Sequence, residues 1–167
     1  MIQIANYEDA RRLSATAGET MAQGEVVYVS DDGSGNRFLM KVGNGDAAKL
    51  LAGNYGIVFK VDVRAEAVES TFVGVGQKEL GGTTRLTTIV SGDAVVVVGR
   101  GAIVQYAPAD LDDTLNAAEG GALPAVGDSL GVLGSKFCKA DAQSAIVSPY
   151  IGRVNLVLGT NVLVELV

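Results

Sequence analysis

The 167-residue chain contains no histidine, no tryptophan and one cysteine, Cys138. Each absence removes a class of chemistry. Without histidine there is no Ser-His-Asp triad, no Cys-His dyad and no His-ligated zinc or haem. One cysteine makes neither an internal disulfide nor a cysteine metal cluster. Lys136 and Lys139 flank it and favour a thiolate, but no base accompanies it, so Cys138 reads as a small buried or half-buried residue. No Ser-x-x-Lys occurs, which removes that hydroxyl-amine pairing. Basic residues are in deficit: 13 Lys and Arg face 19 Asp and Glu, for a net charge of −6. The longest basic run is Arg11-Arg12. Phosphate-backbone binding relies on Lys and Arg displacing counterions, so neither a nucleic acid nor an anionic membrane is the expected partner. The first residues lack the basic head and apolar stretch of a secretory signal. No apolar run is long enough for a membrane helix. A soluble chain made in a reducing cytoplasm is the expectation.

What is present is valine and glycine, 24 and 22 residues, within a composition that is 48% hydrophobic. That apolar content offsets chain entropy, and the length suits one domain. Valine's branched Cβ suits a pleated strand better than a helix. Its clusters are short and bounded by Gly, Asn, Asp and Ser, which reads as many short strands joined by turns. Glu25-Val26-Val27-Tyr28-Val29 and Arg37-Phe38-Leu39-Met40-Lys41-Val42 flank the turn formers Asp31-Asp32-Gly33-Ser34-Gly35-Asn36, a hairpin signature. Residues 46–52 suit one or two helical turns ended by Gly53-Asn54. Residues 56–64 alternate, with Ile57, Phe59, Val61 and Val63 on one face, as a half-buried antiparallel strand does. Ala94-Val95-Val96-Val97-Val98 has no polar face and predicts a strand buried on both sides in a sheet or barrel wall. Further strands are expected at 68–76, 86–90, 102–106, 126–133, 137–140, 151–158 and 162–167. Pro149 suits a strand opening. Residues 77–85 read as an exposed loop, and 108–121 as a short helix or excursion loop. The predicted fold is all-β: a compact antiparallel β-barrel or β-sandwich of many short strands, with one or two short helices. Residues 1–18 form an N-terminal arm and 19–167 a single β-rich domain. A short helix over 7–13, or an added edge strand on the chain's own domain, is the alternative for the arm.

Several motifs invite chemistry and are better read as turns. Gly24-Glu25-Val26-Val27, Gly92-Asp93-Ala94-Val95 and Gly127-Asp128-Ser129-Leu130 share the form Gly-acid-x-apolar. Each reads as a turn feeding a strand, with glycine taking the left-handed backbone and the carboxylate capping turn amides. Gly99-Arg100-Gly101 opens like a dinucleotide fingerprint, but Val104 stands where the third glycine belongs, so a sheet kink or bulge is expected. A calcium loop beginning at Asp31 would place Val42 where the bidentate glutamate belongs. Asp110-Leu111-Asp112-Asp113 is a better oxygen cluster, read as a solvated acidic loop or helix start with calcium as the alternative. No catalytic residue, cofactor site or metal site emerges.

The Gly-acid-apolar strand entries, Asp46-Ala47-Ala48 leading to Gly56-Ile57-Val58, and the ending Tyr150-Ile151-Gly152-Arg153-Val154 with Asn161-Val162-Leu163-Val164-Glu165-Leu166-Val167 form a pattern. It resembles the capsid decoration (cement) proteins of tailed bacteriophages, which are small, rich in Gly, Val and Ala, and poor in His, Trp and Cys. The resemblance spans most of residues 18–167. It implies a β-barrel or β-sandwich body, homotrimers on the capsid exterior, a terminal arm on the major capsid protein, and a structural virion role without catalysis or cofactor. Arg11 and Arg12 would then meet carboxylates on the capsid, and Ile2, Ile4, Tyr7 and Leu13 complete the expected contact. The competing readings are another virion or surface β-module, such as a fibre base or carbohydrate-binding domain, and a carboxylate- or metal-dependent enzyme. The low aromatic content weighs against sugar stacking.

Overall fold

The computed structural model describes residues 3–6, 12–43, 46–63, 88–111, 122–139 and 147–167. Within them the valine clusters become strands in chain order: β1 (Gln3–Asn6), β2 (Arg12–Ala17), β3 (Met21–Ala22), β4 (Val26–Asp31), β5 (Arg37–Lys41), β6 (Tyr55–Val63), β7 (Thr88–Ile89), β8 (Ala94–Val98), β9 (Ile103–Tyr106), β10 (Ser129–Leu133), β11 (Lys136–Lys139), β12 (Val147–Leu158) and β13 (Asn161–Leu166). One short helix, α1 (Ala47–Leu51), and a 3-10 turn (Pro108–Asp110) accompany them. The expected strands at 68–76, the loop at 77–85 and most of the 108–121 segment lie outside the described residues.

The strands sort into two bodies. β2-β5-β4-β6-β8 close a barrel, and β1-β9-β13-β12-β10-β11 make a six-stranded sheet. The sheet is antiparallel throughout. The barrel departs from the antiparallel expectation at one seam, where β2 runs parallel to β5. Gly99-Arg100-Gly101 is the crossing between the bodies, where the expectation was a kink within one strand. A tight turn there, with the Ala102 amide donating to the Gly99 carbonyl at 3.1 Å, carries the chain from β8 to β9.

Each body buries one side of its strands, and they share a third surface. Ala17, Val27, Leu39, Val58, Val95 and Val97 fill the barrel, joined by Met21 and Ile89 from the β3–β7 ribbon. The outward side chains Val26, Ile57 and Val98 pack with Val104, Leu130, Val162 and Val164 of the sheet. The barrel wall is therefore covered on both faces where it meets the sheet. β8, expected to be buried on both sides, is so only at its end: Val95, Val97 and Val98 are buried, while outward Ala94 and Val96 are half-buried. β6, expected to be half-buried, is buried on both sides where it meets the sheet. In β6, Ile57 faces the sheet and Val58 the barrel core, and both are buried.

The β10–β11 hairpin links the bodies through its tip. Ser135 holds φ +65°, a conformation a side chain rarely takes. Its carbonyl accepts the Val26 amide at 2.8 Å, and its hydroxyl donates to Glu25 Oε1 at 3.0 Å. Pro149 lies inside β12, not at its opening. Between the pairs Leu130↔Gly152 and Val132↔Val147 the register slips. Proline sits in this irregular stretch, where a missing donor costs no ladder bond.

The N-terminal region also differs from the arm expectation. β1 takes the edge of the sheet beside β9, the edge-strand alternative. β2 forms part of the barrel wall, in register with β8 from Arg12↔Val98 to Thr16↔Ala94. The helix considered over 7–13 falls partly outside the described residues, and its last two positions are strand.

Candidate functional site

The three Gly-acid turns share one geometry. Gly24, Gly92 and Gly127 have φ of 90°, 94° and 92°. In each, the following carboxylate accepts the main-chain amide three residues before it: Ala22 to Glu25 at 2.8 Å, Val90 to Asp93 at 3.0 Å, and Ala125 to Asp128 at 2.8 Å. The amide of each acid donates back to the same earlier residue's carbonyl. Asp46 and Asp110 repeat the reciprocal pattern at the two helical turns, Asp110 without a preceding glycine. These carboxylates are turn fasteners.

Asp128 carries the largest electrostatic consequence of that arrangement. The Ala125 amide holds its carboxyl below the usual carboxylate range, helped by Lys139, whose ammonium lies 3.2 Å away. A lowered folded pKa adds stability that is complete above the unfolded value, about 3.9, and is lost as pH falls through the folded value. In urea titrations from pH 5 to pH 2.5, Asp128→Asn is expected to give a shallower fall in stability than the parent. Parallel curves would contradict the assignment.

Other chemical candidates are spent on structure in the same way. In the β4–β5 hairpin, Asp31 Oδ1 accepts the Gly33 amide, and Asp32 accepts the Ser34 and Asn36 amides and the Asn36 side chain. Those bonds hold Asp32 below the usual carboxylate range, the Asn36 side chain contributing most. The expected hairpin is thus fastened by Asx turns. Cys138 is fully buried. Among the described residues no group of three or more His, Cys, Asp or Glu could hold a metal ion. Asp112 and Asp113 lie outside that set.

One end of the barrel is open. A recess of about 690 Å³ enters it, with Val27, Val29, Leu39 and Val97 among its walls and Leu13, Asp31, Arg37, Asn54, Tyr55 and Gly99 toward its mouth. Ala15 and Gly56 are among the small residues of its walls. Burial pushes the Tyr55 phenol up, against the opposing charge of Arg100. Its hydroxyl donates to the Val167 main-chain oxygen at 2.6 Å.

The expected contact residues separate between the two bodies. Leu13 lies at the barrel mouth, 36% exposed. Arg12 begins β2 beside it, opposite Val98. Ile4 pairs with Val104 at the sheet edge. Ile2, Tyr7 and Arg11 lie outside the described residues. Sequence reasoning missed Arg37 and Arg100. Arg37 starts β5 opposite Asp31, and exposed Arg100 follows Gly99 of the mouth. Only the barrel's closure brings these positions to the end where β2 begins.

Among the described residues no helix is long and apolar enough to cross a membrane. Comparison with protein-family models, curated proteins and solved structures finds no match to the chain.

Proposed function

We propose that the chain is a structural virion protein that binds the exterior of a tailed-phage capsid as a homotrimer. It stabilises the shell by bridging subunits of the major capsid protein, without catalysis. The resemblance in turn and strand pattern supports the phage setting. The observation that carries the contact role is the placement of Leu13, 36% exposed, at an open barrel end where Arg12, Arg37 and Arg100 also lie. An apolar side chain at the barrel end that also carries Arg37 and Arg100 against the one carboxylate of Asp31, in a chain of net charge −6, is a focused surface for a carboxylate-bearing protein. Contacts of this kind, repeated over a symmetric shell, bind collectively through effective concentration.

The test adds purified protein to undecorated heads of the cognate capsid protein and images them, with the particle mass measured beforehand. Saturable decoration by a trimer is expected. Arg12→Glu and Leu13→Ser should each weaken it about tenfold, the scale of about 1.4 kcal/mol. Point changes are preferred to deleting residues 1–13, which would remove β1 and the start of a barrel strand. A monomer that leaves heads bare would overturn the reading.

A further inference from the structure

We propose that the gap between β2 and β5 is a strand-addition slot for a short, extended, acidic peptide segment. The geometry begins with the seam. β2 pairs with β5 only at Thr16↔Phe38 and Ala17↔Leu39. Toward the mouth β2 runs on past the start of β5 at Arg37, and among the described residues no strand pairs with that edge of β2 at 12–15. The other edge is occupied by β8 along its whole length.

Strand alternation identifies the main-chain groups on the open edge. The Gly18 amide donates to the Leu39 carbonyl at 2.9 Å, whereas the Ala17 amide donates to Asp93 on the β8 side at 2.8 Å. Counting back by twos, Thr16 and Ser14 present their amide and carbonyl to the β5 side. Thr16 has β5 to meet; Ser14 looks into the gap.

The recess in the open barrel end reaches this edge: Ser14 and Ala15 of β2 and Arg37 and Leu39 of β5 are among its walls. An added strand needs about 4.8 Å beside its neighbour. One bound on the Ser14 edge would turn alternate side chains toward the apolar walls at Val29 and Val97, leaving the others at the rim. The rim selects their charge. Arg37 is exposed there opposite Asp31, and exposed Arg100, whose charge reaches Tyr55 at the mouth, adds a second cation against that one carboxylate. The preferred segment alternates small apolar and acidic residues. Its ownership by a capsid protein rests on the function proposed above; the slot itself rests on the seam.

The probe is a fluorescein-labelled hexapeptide of alternating Val and Glu, titrated into the full chain and followed by anisotropy and amide exchange. Saturable binding is expected, with slowed exchange at the Ser14 amide. Affinity should fall with added salt and be about tenfold weaker for Arg37→Glu and for Arg100→Glu. A Val-Lys hexapeptide, and the Val-Glu peptide with a central proline, should bind at least tenfold more weakly. Equal binding of the Lys peptide, indifference to proline, or no binding up to about 1 mM, a bare 4 kcal/mol, would overturn the slot. The two proposals fail separately. Heads decorated normally by a chain that ignores the peptide sink the slot alone. Peptide binding by a chain that leaves heads bare supports the slot and sinks the capsid reading.

Discussion

Gly56→Ala is expected to lose about 3 kcal/mol of stability, the upper part of the range for overpacked cores. Gly56 sits in β6 opposite Val27, with β8 on the other side. A Cβ there would strike Val97 Cγ1 and stand 2.6 Å from the carbonyl oxygen of Val98. Val97 is β-branched and stiff, so it yields only by moving its strand. The carbonyl belongs to the barrel wall and yields only if β6 and β8 separate. A domain's whole stability is about 5–15 kcal/mol, so the loss should appear as a large drop in the urea midpoint. Gly53→Ala is the control: an added Cβ meets nothing within 4 Å there, and the cost is only that of φ +73°. The double variant Gly56→Ala with Val97→Ala should recover little, because the main-chain clash remains. A Gly56→Ala midpoint matching the parent would show that the barrel wall is looser than this packing implies.

The same contact shows what a sequence discloses and what it withholds. The turn at Gly127-Asp128 was readable because its chemistry is local: a glycine for the backbone, a carboxylate for the amide three residues back. The β4–β5 hairpin and α1 were readable for the same reason. β8 was readable as a strand because no residue in 94–98 is polar, but burial on both sides holds only at Val97-Val98, Ala94 and Val96 being half-buried. β6 misled, since its polar alternate positions suggested solvent while the fold gave Val58 to the barrel core. β2 carried a signal too faint to weigh. Leu13, Ala15 and Ala17 alternate with Arg12, Ser14 and Thr16, but alanine is a poor strand former and fills little of the interior. The division of strands between barrel and sheet, and with it the placing of the start of β2, Arg37 and Arg100 at one end of the barrel, depends on pairings between distant residues that no local pattern encodes.

Tyr106 is where those distant pairings are fastened, and removing it should cost about as much as any change in the chain. It is fully buried in the core between barrel and sheet. Its ring meets Phe137 edge-on, with centroids 5.5 Å apart and planes at 80°. Its hydroxyl donates to the Gly24 carbonyl at 3.2 Å, in the turn that feeds β4. Tyr106→Ala should lose about 3–5 kcal/mol through the cavity it leaves. Tyr106→Phe keeps the ring and should lose about 1–2 kcal/mol, chiefly by leaving the buried Gly24 carbonyl without this donor. If the two variants fell equally, the hydroxyl rather than the ring would be the fastener. The phenol adds a dependence on pH that tests the site independently. Burial, reinforced by the charge of Asp110, raises its pKa well above 10. A raised folded pKa gives stability that is complete below the unfolded value, about 10, and is lost as pH climbs toward the folded value, because only the unfolded chain releases the proton there. Denaturation curves between about pH 9 and pH 11 should therefore show the parent losing stability more steeply than Tyr106→Phe. Burial also raises Tyr28 and Tyr55, so the slope in Tyr106→Phe should be reduced but not abolished. An unchanged slope would mean that water reaches the Tyr106 hydroxyl, and that barrel and sheet are not sealed against each other at this point.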